Sequence, residues 1–407
     1  MSKNLIDEVL QYINSYENKV TIDNCEQAIN AFCTNYQKWK GVVGYMYGDN
    51  VDGEKEYGKV LVIFSASLYE FSNLNEDVIK LLEDEICEYE INVEYSYNIK
   101  YAVYGNIGFC WHKLGKIYDD MAIEAYKKHI LYQLSQSNNT SYGGVTCYAF
   151  RGCSKFLFQS LINNTLNLSS PKTFNDPFDC PVIELLNNDD ENSKLIREAY
   201  IRCIKVACFV KNNKLPYSKD EISEPIYNDK KNKRDRAEFL NELMWSHYAD
   251  YHKGICIKYK FQNDMTVFMS DYKDKGYLAY FKDVEYISDL HKYSSCSSIN
   301  MKDAFFAKAK SWKYENELRL LYCNPSNNDD YISLPMQDCI EAIYFGVKCS
   351  KKDRETIMNI LQGRKCTSSI KKYVNGKIET ITNIENIAYY QMEIDRSKFG
   401  QIKAIKI

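Results

Sequence analysis

Long apolar runs are missing from this chain of 407 residues. Its longest uninterrupted aliphatic and aromatic stretch is of the kind Val60-Leu61-Val62-Ile63-Phe64. A membrane-spanning helix needs roughly 20 apolar residues, so a membrane span is excluded. The first ten residues carry Lys3, Asp7 and Glu8 among Leu5, Ile6 and Val9. They read as a surface helix and not as a basic segment followed by an apolar one, so no export signal is expected and the sequence predicts a cytoplasmic protein. Paired cysteine spacing is also missing: none of the 15 cysteines forms a CxxC, and Cys203 and Cys208 lie too far apart without a second pair. Reduced thiols are therefore expected, with neither a disulfide scaffold nor a structural zinc site, and no metal is predicted. There is no phosphate loop ending in Lys-Ser/Thr, no GxGxxG, no GxSxG and no HExxH. P-loop hydrolysis, Rossmann redox chemistry, α/β-hydrolase chemistry and zincin proteolysis lose their support.

Arginine is absent until Arg151, and this marks a charge asymmetry. Residues 1–140 hold 12 Lys against 21 Asp and Glu, and the remainder holds 40 Lys and Arg against 34 Asp and Glu. A mildly basic C-terminal part suits an anionic ligand such as a dinucleotide or RNA, and it is also compatible with an ordinary surface. With 45% hydrophobic residues the chain can bury at least one large core, and its length implies two or three domains.

The first part reads as helices. Leu5, Val9 and Ile13 keep a spacing of four, and Val78, Leu81, Leu82 and Ile86 follow Asn75, a candidate N-cap ahead of the acidic Glu76 and Asp77. The run from Tyr104 to Lys128, with Gly105, Gly108 and Gly115, resembles one tetratricopeptide-type helix-turn-helix whose turn is about two residues longer than usual. Its packing face is Tyr118, Ala122, Ala125, His129 and Tyr132. An ordinary helical bundle fits equally well. Either way residues 1–140 are expected to form an interaction domain that holds a protein partner. Turn formers cluster from Gln136 to Gly144 and set the boundary of a second, α+β domain over 145–407. There the pattern predicts strands at Val145–Arg151, Thr165–Ser169, Ile204–Val210, Gly254–Tyr259, Glu317–Tyr322 and Ala342–Phe345. Helices are predicted at Lys155–Asn163, Ala237–Tyr248 and Met301–Lys308, and a loop or insertion at Asn212–Arg236.

Four blocks of this second part resemble a bacterial family known as domain of unknown function 2971. They are Tyr148-Ala149-Phe150-Arg151 through Asn163; Leu166 to Pro171 with Phe174-Asn175-Asp176-Pro177-Phe178-Asp179; Trp245-Ser246-His247-Tyr248-Ala249 with His252-Lys253-Gly254-Ile255; and Trp312 to Arg319. That resemblance implies no activity. The order of residue types does: a strand ending in Arg151, a second strand with Ser169 and Ser170, and a late Glu315-x-Glu317 is similar to the order of motifs in ADP-ribosyltransferases. That likeness implies a split sheet with NAD as substrate in its cleft. A basic residue would hold the dinucleotide, a polar or aromatic block would frame the nicotinamide, and a late glutamate would bond the ribose.

Cleaving the nicotinamide glycosidic bond passes through an oxocarbenium-like state that a nearby carboxylate stabilises. Glu317 is the candidate for that role, with Glu315 orienting the attacking group. Arg151 is the candidate for the pyrophosphate and Ser169 is a further candidate for binding the dinucleotide, with Trp245, His247 or Tyr248 stacking on a planar base. On a strand Glu315, Glu317 and Arg319 would share one face while Leu318, Leu320 and Tyr322 point into the core. Each assignment has a plainer rival. The acidic face fits cross-strand ion pairs at a solvated surface, and Arg151 fits a partner such as Asp176 or Asp179. His247 fits a buried histidine bonded to backbone, and Phe174 to Asp179 reads first as a turn anchored by Phe174 and Phe178.

The expectation is therefore an NAD-using ADP-ribosyltransferase or NAD glycohydrolase, in the toxin or phage-defence setting that such a two-part protein suggests. Two other readings stay open. One is a nucleic-acid binding or cleaving protein using Trp245, Tyr248 and His247 or His252; the other is a non-catalytic interaction protein. His112, His129 and His291 have no companion residues.

Overall fold

A computed structural model describes Leu61, Val62, Ser65, Ala66 and Leu68 and residues 74–92, 97–135, 145–176, 178–180, 190–211, 238–261, 278–288, 303–336, 338–374, 377–397 and 400–407. The helix expected near Leu5, the turn cluster 136–144, the insertion 212–236 and His291 lie outside the described residues.

Helix α1 (Glu76–Asn92) begins where the sequence places its cap: Asn75 Oδ1 accepts the Val78 N–H at 3.1 Å, and Glu76 and Asp77 occupy the first turn. Helices α2 (Tyr97–Leu114) and α3 (Asp119–Ser135) form a hairpin through Gly115, at φ 129°, and a short 3-10 turn at Lys116–Tyr118. Small residues do bring the pair together. A Cβ on Gly105 would sit 2.7 Å from His129 Nδ1, and one on Gly108 would strike the Tyr126 ring. No helix among the described residues is long and apolar enough to cross a membrane.

The strands are β1 (Val145–Arg151), β2 (Thr165–Ser169), β3 (Ile204–Lys211), β4 (Ile255–Phe261), β5 (Leu278–Asp283), β6 (Glu285–Ile287), β7 (Ala307–Ala309), β8 (Glu317–Cys323), β9 (Tyr331–Pro335), β10 (Ile340–Phe345), β11 (Lys365–Val374), β12 (Lys377–Asn386), β13 (Ala388–Ile394) and β14 (Ile402–Lys406). Helices α4 (Lys155–Asn163), α5 (Glu191–Cys203), α6 (Glu242–Tyr248) and α7 (Lys351–Ile360) lie between them. Ten strands form one mixed sheet in the order β14-β13-β10-β4-β1-β3-β2-β9, with β8 and then β5 branching from β3. Thus the second part is an α+β assembly, and the helices α1–α3 pack onto it. Trp111, Ile130 and Leu134 share one core with Ala199 of α5, Val206 of β3 and Leu321 of β8. Tyr200 Oη donates to Gln133 Oε1 at 2.5 Å across that junction, and the buried Lys127 Nζ reaches Asn328 Oδ1 at 3.0 Å.

The branch at β3 creates the cleft. One edge of β3 pairs with β8 over seven residues, Ile204 to Val210. On the other edge β1 pairs only at Cys147↔Lys211 and Tyr148↔Val210, and β2 only at Ser169↔Val206. Between these two contacts β1 and β2 diverge, leaving that edge of β3 from Ala207 to Phe209 without a strand partner among the described residues. On one face the sheet carries a continuous core, roofed by Leu157 and Leu161 of α4 and Ile357 of α7. On the other face the core is divided, one part under α1–α3 and α5 and the other around Trp245, Phe239 and Tyr344. The split opens between the two parts.

Two expected helices are corrected. Of the helix expected over Ala237–Tyr248, the described residues are a 3-10 turn (Glu238–Leu240) and the separate α6, because Asn241 Oδ1 accepts the N–H groups of Leu243 and Met244 and starts a new helix. Within Met301–Lys308, where Ala and Lys favour a helix, Ala307–Ala309 instead pairs in parallel with Glu285–Ile287. Backbone pairing with a distant strand overrides local propensity there.

Candidate functional site

A cavity of about 420 Å³ occupies the split, within the usual size of a small-molecule pocket. Arg151 and Phe150 at the end of β1 form one wall, and Asn167 and Ser169 of β2 the opposite one. Val206 to Val210 of β3 form the back, Thr173, Phe174 and Asn175 one rim, and Tyr248 of α6 another. The polar floor is Asp179, Lys308, Glu315 and Glu317. Residues distant in sequence thus share one concave surface: Arg151, Ser169, Tyr248, Glu315 and Glu317 all line it.

Glu317 opens β8, preceded by Asn316 in a left-handed conformation at φ 46° that ends the 3-10 turn Lys310–Glu315. Glu315 is therefore not on the strand but on the turn before it. On β8 the two-residue repeat holds: Leu318, Leu320 and Tyr322 enter the continuous core while Glu317 and Arg319 share the opposite face. That face is not solvated. Arg319 is fully buried and grips Glu317 with two bonds, Nε to Oε1 at 2.7 Å and Nη2 to Oε2 at 3.1 Å. It also reaches Asp179 Oδ1 at 2.6 Å, the Phe305 carbonyl at 2.7 Å and Cys180 Sγ at 3.0 Å. Lys308 Nζ ties the three carboxylates together, at 2.5 Å from Glu315, 3.2 Å from Glu317 and 3.3 Å from Asp179. The Tyr248 hydroxyl donates to the other oxygen of Glu315. Three carboxylates against two cations leave the floor with one net negative charge when all are ionised.

These contacts separate the two glutamates. Burial pushes the Glu317 carboxyl up, but Arg319 and then Lys308 outweigh it and hold it down at about 2. Burial raises Glu315, and Lys308 and the Tyr248 hydroxyl only partly oppose it. Burial also works against the Lys308 charge, yet Glu317, Asp179 and Glu315 keep the ammonium above the ordinary lysine range. The Tyr248 hydroxyl is pushed up by burial and by its bond to Glu315, so it remains a donor.

An acid response follows. A carboxyl held at about 2 in the folded chain and near 4.5 when unfolded adds stability that is complete above about pH 4.5 and is lost as pH falls through about 2. Glu315, raised on folding, acts in the opposite sense, because its ionisation costs stability. Thermal melting should therefore show a midpoint that falls steadily from about pH 4.5 to 2.5. A flat midpoint across that window would contradict the assignment of Glu317.

The remaining candidates are distributed differently. Arg151 donates from Nη1 to the Phe150 carbonyl at 2.9 Å and from Nη2 to the Cys208 carbonyl at 3.5 Å, and it has no carboxylate partner among the described residues. Asp179, offered as that partner by the sequence, belongs to Arg319 instead. Trp245 does not line the cavity. It is buried, with Nε1–H on the Phe239 carbonyl at 2.7 Å and its ring edge-on to Phe150. His247 is exposed beyond the cavity and not bonded to backbone through its ring, which meets the Tyr314 hydroxyl at 2.9 Å. His252 packs parallel to the Trp245 ring, and its Nε2 meets Ser246 Oγ at 3.1 Å. The Phe174–Asp179 turn is anchored by Phe174 beneath Arg319, not by Phe178, which is 66% exposed. Lys308 and Asp179 complete the floor without a motif of their own. Asp179 ends the Phe174–Asp179 block, and the local signal of Lys308 is a charge within the largely apolar stretch from Ala304 to Ala309.

Comparison with known proteins gives one finding. The family described as a protein of unknown function, DUF2971, matches residues 244–320, which run from α6 through β8 and contain Tyr248, Lys308, Glu315 and Glu317 of the cavity. No curated protein matches the chain. No solved structure matches it either.

Proposed function

We propose that the chain is an enzyme that takes NAD into the split of its sheet and breaks the bond between ribose and nicotinamide, passing ADP-ribose to an acceptor or to water. The observation that carries this reading is the convergence of Arg151, Ser169, Glu315 and Glu317 on one cavity at the gap between β1 and β2. Arg151, without a carboxylate partner among the described residues, offers guanidinium N–H groups to pyrophosphate oxygens. Ser169 and Asn167 supply hydrogen-bonding groups on the opposite wall. Glu317, ionised throughout the physiological range, faces the positive charge that develops at the ribose carbon as the pyridinium leaves. Glu315, with its raised affinity for a proton, accepts one from the attacking group, and Tyr248 and Lys308 hold it in place. As the glycosidic bond breaks, its electron pair goes to the pyridinium nitrogen. Nicotinamide leaves neutral, and the attacking atom bonds the ribose carbon as it loses its proton to Glu315.

Within this reading the helical region serves a protein partner. Its exposed apolar residues Phe109, Ile117 and Met121 cluster about the α2–α3 bend and offer a surface for one. The test is nicotinamide release from NAD by the purified full chain. Glu317→Gln should lower the rate by roughly 10²–10³-fold, the usual cost of removing one electrostatic contact to the transition state. Arg151→Ala should raise KM about tenfold, equivalent to about 1.4 kcal/mol of lost binding. Glu315→Gln, which keeps the Glu317–Arg319 pair, guards against a folding artefact. No NAD binding and no release would overturn the reading.

A further inference from the structure

The turn leading into Glu315 carries rings and cations in alternation: Lys310, Trp312, Lys313 and Tyr314. Lys310 and Lys313 are exposed, and Trp312 and Tyr314 are partly exposed. The Trp312 and Tyr314 rings lie 6.0 Å apart, and the exposed His247 ring continues the series 5.9 Å beyond Tyr314. The His247 Nδ1 contact with the Tyr314 hydroxyl fixes that end of the row. The row is continuous with the cavity, since Tyr314 precedes Glu315, His247 precedes Tyr248, and Lys308 Nζ lies 5.1 Å above the Trp312 ring. Tyr314 also packs against the apolar core around Trp245, which anchors the middle of the row.

We infer that the acceptor is a single-stranded nucleic acid, laid along this row so that one base reaches Glu315. The inference rests on the NAD-cleaving reading and names its second substrate. Successive bases stack on accessible ring faces without regard to sequence, and lysines interleaved with the rings meet the phosphates between them. A nucleic-acid strand offers an anion and a flat face at every residue, whereas a peptide does so only where its sequence alternates acidic and aromatic side chains, so the row fits nucleic acid better than protein. In the transfer, the glycosidic bond of NAD breaks with its electron pair on the nicotinamide nitrogen. A nitrogen of the base forms the new bond to the ribose carbon, and the proton of that N–H goes to Glu315.

Two measurements on the full chain test this. The first is fluorescence anisotropy of labelled oligonucleotides of one sequence, as DNA and as RNA. Binding should weaken with salt at a log–log slope of about −1.4 for two neutralised phosphates. Lys310→Ala with Lys313→Ala should flatten that slope, and Trp312→Ala should weaken binding roughly 5- to 100-fold through lost stacking. The second uses NAD labelled in its adenylate with the same oligonucleotides and, separately, a mixed protein extract. Label should enter the oligonucleotide in a protease-resistant form, with the DNA and RNA arms distinguishing the two polymers. Absent or salt-insensitive binding, label entering protein alone, or nicotinamide release without label on a bound oligonucleotide would each overturn the inference and leave the NAD reading intact. Failure of nicotinamide release in every arm would bring down the NAD reading and its transfer step, while the binding arm still reports on the row itself.

Discussion

Arg319→Met should cost about 3–5 kcal/mol of stability, enough to leave much of the chain unfolded at physiological temperature, because it strands buried charges. Arg319 is fully buried and satisfies Glu317 with two bonds, Asp179 with one and the Phe305 carbonyl with another. A methionine fills the volume but leaves Glu317 and Asp179 with Lys308 as the remaining cation of the cluster. Lysine is no substitute, since one ammonium on a flexible stem cannot reproduce the two-pronged grip on Glu317 together with the bond to Asp179. Adding Glu317→Gln to Arg319→Met should recover part of the loss, and the coupling between the two changes should exceed about 1 kcal/mol in a double-mutant cycle. Chemical denaturation monitored by circular dichroism reads both values. A wild-type-like midpoint for Arg319→Met would show that the cluster is not the clamp described here.

Gly254→Ala should destabilise by about 3 kcal/mol and, in whatever fraction folds, displace Arg151. Gly254 sits where the end of β1 meets the start of β4: a Cβ there would lie 2.9 Å from the Arg151 carbonyl carbon and closer still to its oxygen. Backbone atoms cannot rotate away as a side chain can, so the strand end itself has to move. Gly346 makes the same demand on the neighbouring segment, where an added Cβ would meet the His252 carbonyl, so two glycines let three strand ends converge behind the cavity wall. Ala at position 254 should therefore lower the melting temperature and, on the proposed NAD reading, weaken NAD binding with it. By contrast, alanine at Gly363, where no atom lies within 4 Å but φ is +78°, should cost only the backbone penalty of about 1 kcal/mol. Equal losses at the two positions would argue against close approach as the cause.

Legibility in the sequence followed the range of the interaction. Strands β1 and β2 and helix α4 have the bounds that the apolar pattern predicts, and Asn75 caps its helix through its own side chain three residues on, whereas the pattern reads through the cap at Asn241 as helix. Helices α5 and α7 and strands β5–β7, β9 and β11–β14 are not among the elements that the sequence pattern predicts. Arg151, Glu315 and Glu317 stand out by residue type and order, and they do meet. Asp179 stands out only as a partner for Arg151 and Lys308 not at all, because their role depends on partners such as Arg319, which lies 140 positions from Asp179. Trp245 and His247 share a heptad-length helix with Tyr248, yet only Tyr248 reaches the cavity, since rotation about a short helix sends neighbours to different faces.

By itself, then, the sequence determined what repeats locally: the two-residue alternation that sends Leu318 and Leu320 to one side and Glu317 and Arg319 to the other, the caps, and the charge asymmetry between the two parts of the chain. Only the tertiary structure decided that β1 and β2 part along the edge of β3, that Arg319 turns inward to Asp179, and that the helical layer shares its core with the sheet. The physical reason is that alternation and capping are satisfied within a few residues. Strand order and buried ion pairs are chosen by desolvation and packing between segments that meet only once the chain has collapsed.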